Sequence, residues 1–460
     1  MSPNQRIPCA VLALLLCAIA CHAGAQGSAL ERLQRYVELD TTNPPGNETR
    51  GVEFLASVLE QAGIPYQSVE SAPGRGNLWA RLEGGDLPAL VLLHHIDVVP
   101  ADRAAWATPP FIAVAVDGML AGRGTLDTKA LGIAHLEAFL ALHRDGRALN
   151  RDVIFMATAD EEAGGRLGAG WLVEHRPESF AGAGFLLNEG GAGIASAHGT
   201  RFQVELAQKR PMWLRLVASD RPGHGSSPRP TSAPGRLVAA LERIRTHPFP
   251  PRVIAPVRRM FAGIAAHVGP PWSARFGDLD GAVADPAFLV ELQAAKPHLH
   301  ALLRNTCSIT VLSGSDKINV VPPTASAELD CRILPDEDAA AFRTAIEARI
   351  ADDDIRVEPI LGFAAAESST DTTLFRLLER VIAQHHPVAP VVPTVAGGFT
   401  DSHFFRELGI TSYGFAPFVI PEQDLGGIHG NDERIGIETF ERGVAIMTEI
   451  VRRFASEEPR

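Results

Sequence analysis

His95, Asp127, Glu162, Glu189 and His429 each lie in a short glycine- or acid-rich segment where an apolar run ends. Two imidazoles and three carboxylates make up the donor set expected where two zinc ions share a hydrolytic site. Glu161, directly beside Glu162, is left over from that set and is free to take a proton.

Each signal has a plainer reading on its own. His95 and Asp97 are one residue apart at a strand end, so their side chains share a side, and Asp97 is suited to hold the imidazole. An ordinary polar strand end looks the same, and His94 should point the other way. Asp127 follows the bend Gly122-Arg123-Gly124-Thr125. It could direct its two oxygens at two cations, or cap the following helix. The adjacent acids Asp160-Glu161-Glu162 repel one another unless solvated or neutralised by cations. Neighbouring side chains diverge, so one carboxylate can bind metal while the next faces water. Glu189, in Asn188-Glu189-Gly190, says little alone, and a lone His429 reads as a surface histidine.

The elements that would position these residues alternate. Helices are expected over 28–39, 51–63, 130–143 and 166–175, and buried strands over 89–93, 153–157 and 185–187. That order predicts a mostly parallel, mixed α/β sheet covered by helices on both faces, with ligands at the carboxyl ends of its strands. From about residue 210 the pattern changes to strand, helix, strand, strand, helix, strand: 213–217, 231–245, 306–313, 324–333, 336–350 and 354–361. This suggests a two-layer α+β domain inserted into the first, which resumes with a helix at 370–385. The Pro-rich stretch 246–304 is too long for a plain loop and should form helices of its own. The expected division is 1–25, 26–208, 209–365 with the insertion 246–304, and 366–460.

At 460 residues the chain can bury two cores. Its 54 acidic against 42 basic side chains, net −12, argue against a nucleic-acid partner. Arg6 precedes the uncharged apolar run 7–20, and Ala23-Gly24-Ala25 has the form of a signal-peptidase site. Export to a periplasmic or extracellular location is expected, with no stable membrane span once the leader is removed. A membrane anchor needs a longer run. Lipoprotein processing at Cys21 is less favoured than cleavage after Ala25, because Ala18 stands where a lipobox has Leu. Cys307 and Cys331 would then remain. If 306–313 and 324–333 pair as a hairpin they could face each other as a disulfide in an oxidising compartment; buried free thiols are the alternative.

Taken in order, these segments resemble the di-zinc metallopeptidase family that includes aminoacylase, carboxypeptidase S, glutamate carboxypeptidase and succinyl-diaminopimelate desuccinylase. The matching stretches read TTNPPGNE, HHIDVVP, AGRGTLDTK, ADEEAGG, LLNEGG, GHGSSP, KINVVPPTA, LDCRILP, GGFTDS and IHGNDERI, from Thr41 to Ile435. Trp106-x-x-Pro109-Pro110-Phe111, the form GRGTLD and the insertion 246–304 resemble the carboxypeptidase S and secreted N-acyl-amino-acid hydrolase branch.

The resemblance implies a zinc-peptidase catalytic domain with an inserted lid or dimerisation domain. It implies two zinc ions per chain, replaceable by cobalt or manganese. Asp127 would bridge them, with His95 and Glu189 on one and Glu162 and His429 on the other. Glu161 would be the general base and Asp97 the support of His95. His224 would stabilise the oxyanion, in many members from a partner subunit. Asn319, Arg332 and Gly398 would hold the substrate's backbone or carboxylate. The implied substrate is a peptide or N-acyl amino acid bearing a free carboxylate, and the implied assembly a homodimer through the lid. The insertion could instead cover that pairing surface and leave a monomer. Asn188, Phe399 and the turn Gln208-Lys209-Arg210 depart from the family pattern near the substrate pocket. A deacetylase or esterase on non-peptide substrates, and an exported binding protein without catalysis, are the competing readings.

Overall fold

In the computed structural model residues 27–456 are described; the leader expected over 1–25, with Cys21, lies outside them. The first helix, Ala29–Val37, begins with a capping box: the Ser28 side chain accepts from the Glu31 amide, and the Glu31 side chain accepts from that of Ser28. Its buried face, with Leu33, Tyr36 and Val37, packs on the helix Lys129–Asp145. That second helix is buried all round from Lys129 to Leu142, because Ile437–Ser456 lies against it as well.

These helices cover an eight-stranded sheet in the order Tyr66–Glu70, Gly76–Leu82, Arg151–Thr158, Leu87–His95, Ala183–Ser196, Thr411–Pro421, Gly199–Gln208 and Val391–Ala396. The middle is parallel: Leu87–His95 pairs in parallel with both of its neighbours, and Ala183–Ser196 with Thr411–Pro421. Antiparallel partners flank it. The central strands read as unbroken apolar runs, as a sheet covered on both faces requires.

A second sheet of four antiparallel strands follows, in the order Thr306–Ser313, Thr324–Ile333, Arg210–Ser219 and Ile355–Gly362. The burial along Thr324–Ile333 alternates strictly. Ala325, Ala327, Leu329 and Cys331 face the helices Ala233–Thr246 and Ala339–Ile350, forming a core separate from that of the large sheet. The intervening Arg332 and Asp330 therefore lie on the opposite face. Cys307 and Cys331 are register partners and are joined as a disulfide.

The stretch 246–304 folds into helices, among them Ala255–Ile264 and Pro286–Ala295. Their apolar residues Val257, Phe261 and Phe288 form a third core with Val392 and Val395. The insertion thus covers the outermost strand of the large sheet, Val391–Ala396, and so removes an open edge. A methyl at Gly263 would lie 2.5 Å from Val392, so glycine permits this close approach. The lid edge Thr306–Ser313 is exposed from Ser308 to Ser313. The insertion thus leaves this lid strand uncovered. Among the described residues no helix is long and apolar enough to cross a membrane.

Candidate metal centre

The large sheet delivers its acids and imidazoles at one end. His95 closes the strand Leu87–His95, and Glu162 lies in the turn after Arg151–Thr158. Glu189 sits within Ala183–Ser196, just before Gly190 at φ 114°. Asp127 immediately precedes the helix beginning at Lys129, whose N-cap is Thr128, and makes no capping bond. His429, on the loop after Thr411–Pro421, adopts φ 56°. Such a backbone is costly without glycine and persists where its surroundings fix it.

The five side chains form two groups that share Asp127. His95 Nε2 lies 3.1 Å from Asp127 Oδ1 and 3.7 Å from Glu189 Oε1. His429 Nε2 lies 3.0 Å from Asp127 Oδ2 and 3.1 Å from Glu162 Oε2. Within each group the donor atoms fall within 4.8 Å of one another. His94 points away into the core, 3.1 Å from the Tyr36 hydroxyl.

Buried polar contacts hold this arrangement. The second nitrogen of His95 meets the backbone carbonyl of Asp97 at 2.9 Å, whereas the Asp97 carboxylate is 3.6 Å away. That carboxylate instead accepts the amides of Glu161 and Glu162 and the side chain of Asn43, fixing the acidic turn. Asp160 turns through φ 70° and pairs with Arg75 at 2.7 Å, so the first acid of the trio is neutralised apart from the other two. Glu433 is fully buried and accepts the amides of Gly124, Leu126 and Asp127 at 2.6–3.0 Å, with Arg123 at 2.8 Å. Arg123 in turn donates to the carbonyl of Gly430, beside His429. Glu433 thereby ties the loop of Asp127 to the loop of His429. The sequence marks it only as an acid four residues past a histidine; its partners lie about three hundred residues upstream.

Electrostatics and orphaned atoms fit two cations. Burial, reinforced by the charge of Glu189, holds the Glu161 carboxyl well above its usual range. Burial pushes Glu189 up to about 7 and also raises Glu162. Hydrogen bonds to Asp127 and Glu162 raise His429 to about 10. One oxygen of Glu162 is buried with no hydrogen-bond partner. More negative charge is packed here than two imidazoles offset, and divalent cations would supply the difference. Asp401, 3% exposed and bonded to Thr158, adds to the field on Glu161.

The substrate-side candidates divide. Arg332 extends from the open face of the lid sheet, bonded to Asp330, with its guanidinium 5.2 Å from the Phe399 ring and 5.7 Å from Trp213. Its Nη1 is buried without a partner. Gly398 borders open space beside Phe399. Gln208, one of the unusual residues of its turn, accepts from Thr400 and so anchors the loop carrying Gly398 and Asp401. Lys209 anchors the end of the insertion through the carbonyls of Ala301 and Arg304. His224 and Asn319 lie together on an exposed two-stranded ribbon, with the Gly225 amide bonded to the Asn319 carbonyl. Among the described residues no hydrogen bond or ion pair links either of them to the five donor residues.

Fold and donor set together define a metal-dependent α/β hydrolase. The chain belongs to Peptidase family M20/M25/M40, whose pattern matches residues 91–453. It is 30% identical over 381 residues to the N-fatty-acyl-amino acid synthase/hydrolase PM20D1 of Xenopus tropicalis, spanning 81% of this chain and 74% of that protein. Aminoacylase-1 of Homo sapiens is 27% identical over 432 residues, spanning 92% and 94%. Among solved structures, the M20 metallo-carboxypeptidase Sso-CP2 of Sulfolobus solfataricus shares the fold with a TM-score of 0.70 at 17% identity, covering 93% of this chain and 99% of that one. Human carnosine dipeptidase 1 does so with a TM-score of 0.63 at 17% identity, covering 96% and 99%.

Proposed function

We propose that this enzyme is an exported hydrolase that uses two zinc ions to cleave the amide bond of an N-acyl amino acid or small peptide bearing a free carboxylate. The observation that carries the reading is the sharing of Asp127 between two donor groups, with the buried, unligated Glu161 alongside. When bound, the ions supply an activated water and polarise the scissile carbonyl.

Glu161, its ionisation held back by burial, takes the proton of the attacking water and returns it to the departing nitrogen. Asp97 keeps Glu161 in place through its amide. Arg332 pairs with the substrate carboxylate, using the nitrogen that has no partner of its own, and Asn319 and Gly398 border the same group. His224 donates to the developing oxyanion.

His224 and Asn319 reach that position through lid movement or from a second copy. The exposed apolar edge Thr306–Ser313, with Ile309, Val311 and Leu312 in the open, favours pairing of two lids. Light scattering of the purified protein should give twice the chain mass. Export is supported by the leader pattern and by the Cys307–Cys331 bond.

The test is a hydrolysis screen of N-acyl amino acids, dipeptides and simple esters with the zinc-loaded mature chain, alongside metal analysis. About two zincs per chain are expected, with turnover of carboxylate-bearing amides. Turnover confined to substrates lacking a carboxylate would favour the deacetylase or esterase reading.

A further inference from the structure

A cavity of about 380 Å³ opens beside the donor groups, with Asp127 and Glu189 in its wall. Its size is at the low end for small-molecule sites. Alternate residues of two neighbouring strands build its buried side: Ala192 and Ile194 from one, Ala416, Phe418 and Ile420 from the other. Leu131 adds to it from the helix behind. Half-buried Leu425 and exposed Ile428 line the side nearer His429. Ala192 and Ala416 are register partners, and the space exists because both are small. Apart from Asp127 and Glu189, no charged side chain lines it.

We infer that this cavity receives the acyl chain of an N-acyl amino acid, and that Ala192 and Ala416 set the chain length accepted. The inference rests on the hydrolytic reading above. An apolar wall that reaches two of the metal-donor carboxylates places a hydrocarbon tail next to the carbonyl under attack, while Arg332 engages the carboxylate on the far side of the amide. The free ammonium of a dipeptide would find no counter-charge here beyond the two donor carboxylates, so an uncharged tail is the matching occupant.

The test compares kcat/KM for N-acetyl-, N-hexanoyl-, N-decanoyl- and N-hexadecanoyl-leucine with the zinc-loaded mature enzyme. The value should rise by about fourfold per methylene over the first carbons and then level as the cavity fills. Ala416→Leu should lower the decanoyl value by about tenfold or more and leave the acetyl value within about twofold. Decanoate should raise the Tm of the parent enzyme and not that of Ala416→Leu. Should Ala416→Leu fail to fold, Leu425→Ala on the more open side should cost the decanoyl substrate severalfold and the acetyl substrate nothing. A flat or falling chain-length profile, or equal losses for acetyl and decanoyl in a folded variant, overturns the inference while leaving the amide hydrolase standing. No turnover of any amide in the series or of dipeptides overturns both.

Discussion

The two sheets of this protein treat their functional side chains in opposite ways. At the carboxyl ends of the large sheet the candidate ligands run from buried His95 to exposed His429, and the turns that carry several of them are tied down from distant parts of the chain: Asp97 by Asn43, the Asp127 loop by Glu433, the acidic turn by Asp97. Beside the lid sheet, which has its own core, His224 and Asn319 are exposed at a short ribbon and held only locally: the His224 ring bonds Ser226, and the Asn319 carbonyl accepts the Gly225 amide. Arg332 stands at the boundary, stacked near Phe399 of the catalytic layer. The proposed hydrolytic centre is built in advance, whereas the groups proposed to act on substrate depend on where the lid lies. A defect in the first should therefore damage chemistry or metal retention; in the second, a defect at Arg332 or Asn319 should damage substrate binding, and one at His224 should lower turnover.

The sharpest break of that contrast comes from Glu161→Gln. Turnover should fall by about a thousandfold while metal analysis still finds both ions; a variant that keeps activity removes the assigned base. Next in size, Cys307→Ser should cost about 3 kcal/mol, lowering the thermal midpoint of the lid without changing metal content. If the large sheet loses metal as well, the two cores are not independent. Glu433→Gln should then weaken metal binding by roughly 10- to 100-fold in a chelator competition, because an amide cannot accept at every point where three backbone amides and Arg123 converge. Excess zinc should restore its kcat. The smallest expected effect is that of Arg332→Lys, a rise in KM of about tenfold for carboxylate-bearing substrates with kcat little changed, since an ammonium lacks the planar two-point contact. A fall in kcat with KM unchanged would move Arg332 from binding into chemistry.

How much of this was legible in the sequence depends on how far each contact reaches. His95 closing an apolar strand, Glu162 in an acidic turn and the lid's alternating strand Thr324–Ile333 are local patterns, and local patterns read well. Cys307 opposite Cys331 needed only the assumption of one hairpin. Asn43 on Asp97, Gln208 on Thr400 and Glu433 on Gly124 span 54, 192 and 309 residues, and no spacing rule connects them. Asp401 stood inside a quoted motif but gained meaning only when Thr158 and Glu161 came beside it. The insertion's length announced helices; that their apolar residues would seat on Val392 and Val395 depended on an edge strand about a hundred residues further on.

Asp127 offers one oxygen to the His95 group and the other to the His429 group, and its backbone is clamped by Glu433. In the proposed two-ion site a carboxylate divided in this way would couple loading of the two positions, and such coupling is reciprocal. Whatever the first ion does to the affinity for the second, the second does in equal measure to the first. A titration of the metal-free chain therefore reports on a pair rather than on two independent sites, and the fraction of singly loaded molecules at its midpoint measures how strongly that one side chain couples them.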